Sequence, residues 1–117
     1  MSFRAALIQM RSGRDMARNF SDAKELIRDA AGRGARFVTT PEMTNIIEPD
    51  RPRLRAVVGP EAEDAPVAGF GRLAAELGIL LHIGSMALKS DDGRVVNRSL
   101  LYGPDGRIVA RYDKIHL

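Results

Sequence analysis

The chain has 117 residues, 44% of them hydrophobic and 28% charged, with a formal net charge of +3 and no cysteine, enough for one domain with a core. The missing cysteine excludes a disulfide, a cysteine-ligated zinc and a cysteine nucleophile within these residues, and His82 with His116 are too few for a multi-histidine metal site. Apolar runs such as Ile79-Leu80-Leu81 are too short to span a bilayer, the start lacks a signal-peptide core, and the densest basic stretch, Arg51, Arg53 and Arg55, is followed at once by Glu61, Glu63 and Asp64, so a cytoplasmic protein with no membrane and no nucleic-acid partner is expected.

Arg4 to Met10 is apolar on both alternating faces, the pattern of a strand buried on both sides. From Asp15, a stripe of Met16, Phe20, Ala23, Ile27 and Ala30 predicts a helix that Gly32 and Gly34 stop. Arg36 to Thr40 reads as a second strand, closed by Pro41. Thr44 to Pro60 reads as a loop, punctuated by Pro49, Pro52 and Gly59. Asp64 caps a second helix with Pro66 in its first turn, a stripe of Val67, Phe70, Leu73, Ala74 and Leu77, and Gly78 at its end. Gly69 and Gly71 weaken that helix. Strands follow at Ile79 to Leu88, Asn97 to Tyr102 and Arg107 to Leu117, with Gly103-Pro104-Asp105-Gly106 turning the last two into a hairpin.

The order β-α-β-α-β-β-β is that of an α/β domain with parallel neighbours in its first part. Two helices cover one face of such a sheet. The other face needs cover from more sequence or another molecule.

Glu42 follows a strand end, where sites form in open α/β sheets. It can act as a general base or simply open a surface loop. Lys114 lies between apolar neighbours, where an ammonium group wants a carboxylate. It can stabilise an oxyanion or an ionised glutamate, or be an edge lysine facing water. His82 reads as a hydrogen-bonded core histidine. His116 alternates onto the face of Lys114, near a site or structural. Gly103-Pro104-Asp105-Gly106 lacks the strand-to-helix context of a phosphate loop.

Thr40-Pro41-Glu42-Met43, Ile83-Gly84-Ser85, Asn97-Arg98-Ser99-Leu100-Leu101-Tyr102 and Tyr112-Asp113-Lys114-Ile115-His116-Leu117, in this order and spacing, resemble the amino-terminal half of a nitrilase-superfamily carbon–nitrogen hydrolase. The nearest branch holds omega-amidases and deaminated-glutathione amidases. The resemblance spans residues 1–117 and implies part of an α-β-β-α sandwich of two stacked sheets. It also implies a Glu-Lys-Cys triad hydrolysing an amide, less readily a nitrile, to a carboxylic acid and ammonia. Glu42 then matches the general base and Lys114 the triad lysine. No metal or organic cofactor is implied, and a homodimer or higher homo-oligomer is usual. The triad cysteine would follow Leu117, so the chain by itself is expected to be inactive. The alternatives are a non-catalytic binding or oligomerisation module of the same ancestry, and a flavodoxin-like domain, which the closing hairpin and the lack of a glycine-rich first turn disfavour.

Overall fold

In the computed structural model, which describes residues 3–114, five strands form one sheet in the order β1-β2-β3-β4-β5. β1 (Arg4–Leu7), β2 (Ala35–Thr40) and β3 (Leu80–Lys89) are parallel, and β4 (Val95–Tyr102) and β5 (Ile108–Asp113) continue the sheet antiparallel. The helices are α1 (Met16–Gly32), α2 (Arg51–Val57) and α3 (Ala65–Leu77). This is the expected mixed α/β sheet.

Local chemistry sets the helix ends. The Asp15 carboxylate accepts from the Arg18 N–H, and Asp64 accepts from Val67 N–H at 2.9 Å, filling orphan donors at the starts of α1 and α3. Gly78 closes α3 in the left-handed region at φ 64°. Both long helices pack on one face of the sheet. Ala23 and Ile27 of α1 and Phe70, Leu73 and Ala74 of α3 meet Val38, Leu81, Ile83, Leu100 and Tyr102. The glycines that weaken α3 as a helix serve close approach. A Cβ on Gly69 would collide with the Phe20 ring, and one on Gly71 would lie 2.8 Å from the Gly106 carbonyl oxygen.

The structure departs from the sequence reading in three places. β1 ends at Leu7 and is not buried on both sides, because Leu7 is 84% exposed on the face no helix covers. The segment read as a loop contains α2 and a 3₁₀ turn, Glu61–Glu63. Pro52 does not break α2, because it falls in the first turn, where no N–H is required, and the Asp50 carboxylate accepts from Arg53 N–H. Lys114 lies just beyond the last strand pair and is partly exposed. His116 and the end of the expected fifth strand lie outside the described residues.

Candidate active site

Glu42 and Lys114 are 72 residues apart in sequence, yet Lys114 Nζ donates to Glu42 Oε1. This hydrogen bond, and then the lysine charge, hold the Glu42 carboxyl below the usual carboxylate range. Glu42 stays exposed, so the pair faces open space.

The chain around Glu42 is clamped. The Met43 N–H donates to Ser85 Oγ and the Thr44 N–H to the Ser85 carbonyl, both at 2.9 Å. Thr44 Oγ1 donates to the Pro41 carbonyl at 2.7 Å and lies 2.8 Å from Thr40 Oγ1. Met43 takes φ 53°, a conformation uncommon for a side-chain-bearing residue, at the point where the chain turns past Glu42. Gly84 permits this clamp, since a Cβ there would be 2.7 Å from the Pro41 carbonyl carbon and oxygen. The β3–β4 pairing is irregular between Ile83 and Met86, so the bulge presents Gly84 and Ser85 to the loop.

Behind the clamp lies a buried polar lattice. Asn45 pairs with Ala87 like a strand neighbour, donating Nδ2 to the Ala87 carbonyl at 2.8 Å and accepting its N–H at 2.9 Å. Asn19 of α1 donates to the carbonyls of Asn45 and Gly13 and accepts the Gly13 N–H at 3.0 Å. Asn19, Thr44, Asn45 and Ser85 are buried, and none was a candidate site residue in the sequence, although Ser85 falls in the Ile83-Gly84-Ser85 motif. Asn19 gave one usable signal, a polar residue beside the apolar stripe of α1.

His82 projects from β3 on the face away from the helices. It lies 2.7 Å from Thr39 Oγ1 through Nδ1 and 2.8 Å from Ser99 Oγ through Nε2. Ser99 Oγ donates to the Ile83 carbonyl at 3.3 Å. A neutral ring satisfies this chain, with Thr39 donating to Nδ1 and Nε2–H donating to Ser99. Burial, and then the Lys114 charge, hold the imidazole below its usual pKa. The expected hydrogen bonds of His82 are present, but the ring is half-buried on the uncovered face and not in the helix-packed core.

A cleft of about 320 Å³ opens beside Met43, lined by Arg51, Leu54 and Arg55 of α2, Val95, Val96 and Asn97 of β4, and Arg94. Arg53 pairs with Asp50, whereas Arg51 and Arg55, one helical turn apart, line the cleft.

The parallel–antiparallel sheet with helices on one face makes this an α/β protein, with the Glu42–Lys114 pair beyond the end of β2. The carbon–nitrogen hydrolase family model matches residues 4–117, and the chain belongs to that family. It is 34% identical over 116 residues to the omega-amidase of Homo sapiens, covering 99% of this chain and 41% of that protein. The NitFhit protein of C. elegans superposes with a TM-score of 0.86 at 26% identity over 100% of this chain and 29% of that one. A mutant of an amidase from Nesterenkonia sp. AN1, with acrylamide joined by Michael addition at its active-site cysteine, shares the fold, with a TM-score of 0.83 at 23% identity over 99% of this chain and 45% of that one. The chain thus spans about two fifths of the length of the curated relatives it matches.

Proposed function

We propose that this chain supplies the glutamate and lysine of an amidase whose thiol comes from sequence following Leu117. The observation that carries this reading is the Lys114–Glu42 hydrogen bond at the strand ends. Glu42, kept ionised by Lys114, takes the proton of the cysteine thiol, which at a free pKa of about 8.5 needs a base near neutral pH. The thiolate attacks the amide carbon, and the oxyanion forms beside the Lys114 ammonium. Collapse breaks the carbon–nitrogen bond, and the proton held by Glu42 leaves with ammonia. Water then attacks the thioester and gives a proton to Glu42. The carbon–sulfur bond breaks, the carboxylic acid departs and the thiolate is restored.

The cleft beside Met43 favours small ω-amides that also carry a carboxylate, because the arginines Arg51, Arg55 and Arg94 line it together with the apolar Leu54 and Val96. The reading includes a homo-oligomer, as the family resemblance implies, and a cytoplasmic location, as the short apolar runs suggest. No helix among the described residues is long and apolar enough to cross a membrane.

The test is ammonia release from a panel of ω-amides, neutral amides and nitriles. The polypeptide extended through the cysteine should turn over carboxylate-bearing amides best, and residues 1–117 alone should release none. Hydrolysis by residues 1–117 alone, or by an extended protein lacking any cysteine, contradicts the proposal.

A further inference from the structure

Lys114 needs something to hold it. It follows the end of β5, the outer strand of the sheet. Its partner Glu42 is exposed, and an ion pair open to water does little to fix a flexible side chain. Its own backbone makes one attachment on β4, its N–H donating to the Asn97 carbonyl at 2.9 Å.

A line of alternating charges runs up to the neighbouring residue. Asp113 accepts from Arg98 Nε at 2.6 Å and from Nη2 at 3.0 Å, a two-pronged contact. Arg98 Nη1 donates to Glu61 Oε1 at 3.3 Å. Glu61 in turn accepts from Arg111 through Nε, 3.0 Å from each carboxylate oxygen, and through Nη2 at 2.8 Å. The inner members are shielded, with Arg98 and Glu61 side chains 18% and 17% exposed. The line ties two residues of β5 to β4 and to the 3₁₀ turn before α3. Arg98 pairs in register with Asp113 and with Met86 of the helix-side core, so the line lies on the helix side of the sheet.

We propose that Asp113, Arg98 and Glu61 act as a positioning strut for Lys114. They pin the end of β5 from the helix side, so that the next residue delivers its ammonium group to Glu42 from the other. Loss of any member frees the strand end and lets Lys114 drift from the carboxylate, with no change to a group that touches substrate. This rests on the role proposed for the Glu42–Lys114 pair.

The test separates position from charge. Asp113 and Glu61 are anions, so deleting either with Lys114 unmoved would lower the Glu42 pKa. Freeing Lys114 raises it. Among the described residues, His82 on β3 feels the Lys114 charge, and Asp113 directly precedes Lys114 in the chain. The Glu42 carboxyl of residues 1–117 is titrated by NMR in the parent chain and in the Lys114→Ala, Asp113→Ala and Glu61→Ala variants. Lys114→Ala should raise the midpoint and set the full scale. Asp113→Ala and Glu61→Ala should raise it by at least half that span. A midpoint that stays or falls in both carboxylate variants overturns the strut and leaves the pair intact. No rise in Lys114→Ala overturns the pair, and with it the proposed function. In the cysteine-bearing enzyme, Asp113→Ala should lower kcat at least tenfold with KM within twofold, and Asp113→Glu should recover most of the loss. An unchanged kcat, or a loss confined to KM, counts against the strut even where the isolated variants do not fold.

Discussion

At the scale of residues, the loop that carries Glu42 is held in place by groups that do not touch its carboxylate. Asn45 satisfies both backbone groups of Ala87 in a buried site. Asn45→Ala should therefore cost about 2 kcal/mol or more, read from urea unfolding, because a buried donor and acceptor lose their partners together. Gly84→Ala should cost about 1–3 kcal/mol by forcing Pro41 away from β3. The Glu42 pKa is lowered in the folded chain, so its contribution to stability is present above the usual carboxylate value and disappears as pH falls through the folded value. A urea midpoint followed from pH 6 to pH 3 should decline, and this part of the decline should be absent in Lys114→Ala. Glu42 and Lys114 were legible in the sequence because their neighbours form a recognisable pattern. Asn45 was not, because a polar side chain whose backbone partner, Ala87, is 42 positions away leaves no periodic trace.

At the scale of elements, caps and stripes carried most of the reading. Asp64, Gly78 and the stripe of α3 appear as expected, and Asp64→Ala should cost about 1 kcal/mol in thermal or urea unfolding, the usual effect of removing a helix cap. α2 escaped the sequence reading because seven residues carry too little periodicity and its Pro52 resembles a breaker. The 3₁₀ turn was missed for the same reason, although its Glu61 receives both Arg98 and Arg111. Helix-side packing was legible from period alone. The early end of β1 was not, because exposure of Leu7 depends on what covers the opposite face.

At the scale of the whole molecule, one face of the sheet is packed by α1 and α3 and the other carries Leu7, Leu80 and Tyr112 in the open, at 84%, 38% and 63% exposure. An uncovered apolar sheet face invites association. Residues 1–117 should self-associate as concentration rises in sedimentation velocity, and Leu7→Lys with Tyr112→Lys should shift the population toward monomer. The same face carries His82, which feels the charge of Lys114, so this face borders the Glu42–Lys114 pair. That links architecture to chemistry: the chain presents an acid–base pair, and the proposed enzyme adds a thiol. The decisive measurement is the rate of ammonia release by the cysteine-bearing protein with Glu42→Gln or Lys114→Ala. Each should reduce turnover at least a thousandfold while the circular dichroism spectrum and melting curve stay close to the parent. Near-parental turnover in either variant would contradict the roles assigned to these two residues.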